Sequence, residues 1–143
     1  MKLTKKEVRG VVVVQIHGKV LGGPDESDKF HRFFKQLIEE GKTDVVVNLK
    51  RTPYMNSLGI GMLLGAYTSI RNAGGNLVLA HVIDRIQNIL IVTQLAIIFK
   101  TFDTVDEAVD YLLDKAEADQ ATGTDSKPAT TGQPPQEGKR PEV

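Results

Sequence analysis

Within DVVVNLKRTPYMNSLGIGMLLGAYTSIRNAGG, residues 44–75, one side chain sits where it could take part in chemistry, the hydroxyl of Ser57. An apolar strand and a Pro-containing turn come before it. Asn56 and Ser57 then open a helix that carries Gly59, Gly61 and Gly65 in its first turns. The start of a helix leaves backbone N–H groups without intrahelical acceptors and places the positive end of the helix dipole there. Such a position accommodates an anion, including a phosphate attached to the serine itself. That phosphate adds roughly −1.5 to −2 charges at neutral pH, and its effect falls on the surface that a partner meets rather than on the fold. Ser57 therefore reads as a switch. Ser and Asn are also preferred helix N-caps, so from residue type alone a capping role stands beside it.

Other chemistries lack their parts. Gly59-Ile60-Gly61 is not a dinucleotide fingerprint, because Leu64 occupies its third glycine position, and the Gly-Lys-Ser/Thr ending of a phosphate loop is missing. The stretch 55–59 has the serine and last glycine of a nucleophile elbow without its first glycine, and His81 precedes Asp84 where hydrolases of that type place the acid first. His17, His31 and His81 fall on a strand end, a helix and another strand end, which makes no metal constellation. With no cysteine, neither thiolate chemistry nor a disulfide is available. The expectation is a protein that is not an enzyme, with no catalytic residue, no metal and no cofactor.

The elements that must position Ser57 follow from composition and periodicity. A length of 143 residues with 41% hydrophobic content supports one domain with a real core. Lys+Arg and Asp+Glu balance at 18 each, which removes the electrostatic case for nucleic-acid or anionic-membrane binding. No apolar run reaches the length of a membrane span, and MKLTKKEVRG has no apolar signal-peptide core. A cytoplasmic monomer or weak dimer is expected, with no direct nucleic-acid contact and no membrane insertion. From residue 116 on there is no Leu, Ile, Phe, Tyr or Met, so residues 1–115 read as the domain and 116–143 as a disordered polar tail.

Val8 and the run 11–17, split by Gly10, read as one or two strands closing a short hairpin or bulge, followed by the loop 18–24. Phe30, Phe33, Phe34, Leu37 and Ile38 predict an amphipathic helix over 25–40 that Gly41 ends. A buried strand at 45–49, the Ser57 helix closed by Gly74 and Gly75, and a strand at 77–82 come next. A helix over 84–94 turns Ile86, Ile89, Leu90 and Val92 inward, and a last strand is expected at 97–102. Thr104 caps a final helix, with Glu107 completing a capping box and Val105, Ala108, Val109, Leu112 and Leu113 inward. The fold class is α/β: a mixed, mostly parallel sheet with right-handed crossovers and about four helices packed mainly on one face. On the Ser57 helix, Ile60, Leu63, Leu64, Tyr67 and Ile70 face the sheet, while Leu58, Met62, Gly65, Ser69 and Asn72 lie opposite. Asn56, Leu58, Gly59 and Met62, with Gly22 and Gly23 of the first loop, are the expected partner contacts.

VVVNLKRTPYMNSLGIGMLLGAYTSIRNAGGNLVLAHV, followed by a short helix and by TFDTVDEAVDYL, resembles the STAS domain over residues 5–115, and within that family the bacterial anti-sigma factor antagonists. The resemblance implies that the free protein binds an ATP-binding serine-kinase anti-sigma factor and so releases the sigma factor. It also implies that phosphorylation of one serine abolishes that binding, and Ser57 matches this serine. Two features depart from the family's pattern. The usual Asp before the serine is Asn56 and the usual hydroxyl residue after it is Leu58; the first loop reads Gly18-Lys19-Val20-Leu21 in place of a pattern ending in Asp. A second reading stays open, a non-phosphorylated STAS subunit acting as a ligand sensor or as an accessory component of a transport or signalling complex.

Overall fold

The structure is a computed structural model and describes residues 1–122. Strand β1 (Lys2–Val8) joins β2 (Val11–His17) through Arg9 and Gly10, whose φ values of 53° and 87° are both left-handed. A pair of left-handed residues gives the turn the same twist as the strands it connects, so β1 and β2 pair antiparallel with Val8 opposite Val11. All later pairings are parallel: β2 with β3 (Asp44–Asn48), β3 with β4 (Asn76–Ala80), and β4 with β5 (Thr101–Phe102). The strand order is β1-β2-β3-β4-β5. Each parallel step needs a crossover, supplied by α1 (Pro24–Glu39), α2 (Ser57–Asn72) and α3 (Asp84–Val92) with the 3-10 turn Leu95–Ile97. Helix α4 (Val105–Thr122) follows β5, and Thr104 Oγ1 accepts the Glu107 N–H at 3.1 Å as its cap.

The pleat sorts the core. Val12, Val14 and Ile16 of β2, Val45 and Val47 of β3, and Leu77 and Leu79 of β4 belong to one buried cluster with Phe30, Phe34 and Leu37 of α1, Ile60, Leu63, Ala66 and Ile70 of α2, and Ile86 and Leu90 of α3. The alternate residues Val11, Val13, Val46 and Val78 point the other way and are also buried, as are Ala108, Val109 and Leu112 of α4. Strands buried on both faces explain the unbroken valine runs. Three helices on one face and α4 left for the other agree with the expected mixed sheet. Among the described residues, no helix is long and apolar enough to cross a membrane.

Three sequence expectations need correction. The strand foreseen at 97–102 shrinks to Thr101–Phe102, because Gln94 turns left-handed at φ 65° and Leu95–Ile97 winds into a 3-10 turn, leaving Ile97 88% exposed. A short apolar run cannot be assigned to strand or helix by hydrophobicity alone. Val92, expected inward, is 82% exposed, since it lies about half a turn around α3 from the buried Leu90. Helix α4 continues through Thr122, so residues 116–122, assigned to the disordered tail, are helical. Ala, Glu and Gln are strong helix formers, and the loss of apolar residues there removes a core-facing stripe without removing the helix. The remainder of the expected tail, 123–143, lies outside the described residues. Met1–Leu112 forms one compact unit containing all five strands; the second, Leu113–Val143, is described only as the continuation of α4.

Candidate functional site

The loops after β2 and β3 are joined like a short stretch of sheet. Gly18 N–H donates to Arg51 O at 2.9 Å, Val20 N–H to Tyr54 O at 3.0 Å, and Asn56 N–H to Val20 O at 3.2 Å, so Val20 and Met55 form a parallel bridge. Both side chains are fully buried beneath it. Thr52, also buried, donates its hydroxyl to Ile16 O at 2.8 Å, which satisfies the one buried polar side chain among the described residues. This places the start of α2 beside the 18–23 loop.

Asn56 is the N-cap. At φ −91° and ψ −177° its Oδ1 accepts the Gly59 N–H at 2.9 Å, and its Nδ2 donates to Leu21 O at 3.0 Å. Ser57 is therefore the first helical residue. Its exposed hydroxyl makes no hydrogen bond among the described residues, and no cap or turn bond takes the N–H groups of Ser57 or Leu58. The sequence left cap and free hydroxyl undecided for Ser57; here the two roles fall on neighbouring residues.

The other side of the loop is held by Glu26, whose Oε1 accepts the N–H groups of Leu21 at 2.8 Å and Gly22 at 2.9 Å, with the Met1 amine 3.7 Å from Oε2. Partial burial pushes this carboxyl up, but donation from Gly22 and Leu21 and the positive amine together pull it below the ordinary carboxylate value. A depressed folded-state value means that Glu26 stabilises the fold above the ordinary carboxylate range and that this stabilisation is lost as pH falls through the depressed value. In acid titrations followed by circular dichroism, Glu26→Gln should accordingly lose part of the wild type's pH dependence below about pH 4.5, with its stability deficit greatest near neutrality, where the ionised Glu26 contributes in full, and shrinking as pH falls.

The expected contact residues divide. Leu58 is 63% exposed beside Ser57, and Gly23 is exposed as the N-cap of α1. Gly22, at φ 77°, is half-buried against Leu58; a Cβ there would stand 2.4 Å from the Leu58 Cβ. Gly59 corrects the sequence reading. It is buried, and a Cβ would meet Val20 O at 2.6 Å and Met55 Cγ at 2.8 Å, so it is a packing glycine beneath the loop, with little surface of its own. Met62 is likewise not fully exposed: it packs half-buried against the core and lines a groove between α1 and α2 with Phe30, Phe34, Ile38, Leu58 and Gly65. The groove encloses about 780 Å³. Leu21 of the 18–23 loop, not among the expected contacts, is also 48% exposed.

Lys50, Arg51 and Arg85 line a separate depression with Thr52, Pro53 and Ile83, and none of these three cations forms an ion pair among the described residues. No group of His, Asp and Glu side chains among the described residues could hold a metal ion.

Comparison with known proteins agrees with this architecture. The anti-sigma F factor antagonist of Paenibacillus polymyxa is 26% identical over 113 residues, covering 78% of this chain and 92% of that protein. The crystal structure of an anti-sigma factor antagonist from Mycobacterium paratuberculosis superposes with a TM-score of 0.68 at 17% identity, covering 79% of this chain and 94% of the other. The phosphorylated form of the Bacillus cell-fate determinant SpoIIAA gives a TM-score of 0.60 at 20% identity, covering 77% and 98%. At these identities the two structures speak for the fold. The family model of the STAS domain matches residues 2–108, and the chain belongs to the STAS domain family.

Proposed function

We propose that this protein is an anti-sigma factor antagonist, a binding protein without enzymatic activity that works in the cytoplasm as a monomer or weak dimer. In its unphosphorylated form it docks on an ATP-binding serine-kinase anti-sigma factor through the Ser57 end of α2 and the 18–23 loop, and the sigma factor is released. Phosphorylation of Ser57 ends the docking. The observation that carries this reading is the division of labour at the helix start: Asn56 caps, and Ser57 keeps an exposed, unbonded hydroxyl next to N–H groups that no loop atom uses. A phosphate there meets favourable donors and the positive helix end, so the domain tolerates it, while a partner seated on Leu21 and Leu58 meets a new charge of roughly −1.5 to −2. The P. polymyxa relative's name points to the same function.

Incubating the full chain with its cognate serine kinase and Mg·ATP should add one phosphate, mapped by mass spectrometry to Ser57. Ser69 should stay unmodified, because it sits far inside α2, where backbone donors are already used. A kinase that binds the chain yet modifies another residue, or none, would overturn the switch. The ligand-sensor reading has one observation in its favour, the groove of about 780 Å³ between α1 and α2, within the usual size of small-molecule sites.

A further inference from the structure

The Asn56 side chain does more than an N-cap requires. Capping takes one acceptor, and Asp or Ser supplies it as well as Asn does. Asn56 uses its acceptor on Gly59 N–H and also spends its donor on Leu21 O, at 2.9 and 3.0 Å. The orientation of the amide is fixed by these partners: reversing it would set N–H against N–H and oxygen against oxygen. Beyond the Val20 bridge, the loop has few other restraints. Glu26 takes the N–H groups of Leu21 and Gly22, and Asn56 takes the Leu21 carbonyl. Between these two holds the backbone passes through Gly22 in the left-handed region and presses on Leu58.

The consequence is geometric. Leu21 and Leu58, 48% and 63% exposed, come from the loop after β2 and from the first turn of α2, and both are fixed at the Ser57 end of that helix. We propose that Asn56 is a positioning residue for partner binding: its amide locks Leu21 beside Leu58 before any partner arrives, so that the contact surface is formed in the free protein. An acid of the same shape would keep the cap but turn a carboxylate oxygen toward the Leu21 carbonyl, and the lock would open. This rests on the docking reading above, because a locked Leu21 matters only to a partner that touches it. Preorganisation of this kind raises affinity by sparing the cost of ordering a loop on binding.

The test uses the full chain with Asn56→Asp and Asn56→Ser, both of which keep a capping acceptor and lose the amide donor. Amide hydrogen exchange read by NMR should show the Gly59 N–H as protected as in the wild type, while protection of the Leu21 and Gly22 N–H groups falls about five- to tenfold. Unchanged loop protection in both variants overturns the lock. Equal loss at Gly59 and in the loop also overturns it, since the variants would then act through the cap. The second arm measures affinity for the serine-kinase anti-sigma factor. Leu21→Ala should weaken binding about tenfold in the wild-type background and less than threefold beside Asn56→Asp, a non-additivity that a purely structural role would not produce. Equal losses in the two backgrounds overturn the positioning role. If the wild-type chain binds no such partner, the docking reading falls, and the exchange arm still decides the lock.

Discussion

Leu63→Ala should remove about 2–5 kcal/mol of folding stability, measured by urea denaturation, because Leu63 is 1% exposed in the centre of the cluster under α2 and its truncation leaves a cavity. Leu58→Ala, five residues earlier on the same helix, should change stability by less than about 0.5 kcal/mol and weaken binding to the kinase partner by roughly 1–3 kcal/mol. The pair tests the orientation of α2. The side chain of Leu63 is surrounded by the core, whereas that of Leu58 is 63% exposed. Leu58→Ala that unfolds the domain as severely as Leu63→Ala would mean the helix is rotated. Leu58→Ala that alters neither quantity would move the docking surface away from Ser57.

Gly59→Ala should be destabilising by about 1–3 kcal/mol, although alanine favours a helix by about 1 kcal/mol over glycine. The added Cβ would fall 2.6 Å from Val20 O and 2.8 Å from Met55 Cγ. The first of these is a backbone atom held by the bridge to Met55, so it cannot simply swing aside. Gly61→Ala and Gly65→Ala provide the contrast. A Cβ at either position meets nothing within 4 Å, and both changes should raise stability by about 0.5–1 kcal/mol each. Thermal denaturation of the three variants separates the cases. A stabilising Gly59→Ala would show that the 18–23 loop is not clamped over the helix start.

The sequence revealed the fold where hydrophobic period and chain stops agreed. The valine runs of β2 and β3 and the phenylalanine stripe of α1 have no competing reading, and Gly41, at φ 75°, ends α1 as expected. It failed after α3, where Leu95, Ala96, Ile97 and Ile98 have the composition of a strand, but Gln94 redirects the chain and β5 pairs only with Leu79 and Ala80. The site divided in the same manner. Ser57 was visible because a hydroxyl at a helix start is a local property. The burial of Gly59 was not visible, because it is caused by Val20, a residue remote in sequence that only the parallel bridge brings near. Asn56 was legible as a cap, its local half; its bond to Leu21, 35 positions away, was not.

Strand β1 has a consequence at higher concentration. It forms one margin of the sheet and, among the described residues, carries a row of backbone groups with no strand beyond it, the arrangement by which β-proteins stick to one another edge to edge. Lys2, Lys5, Lys6 and Glu7 stand exposed along that margin, and Lys5 and Glu7 reach across to Glu40 and Lys42. A second molecule approaching to extend the sheet would have to bring its own lysines alongside these and strip water from both sets. The opposite margin, β5, offers a template only two residues long. Growth of the sheet from copy to copy is thus discouraged at both of the edges that the described residues form.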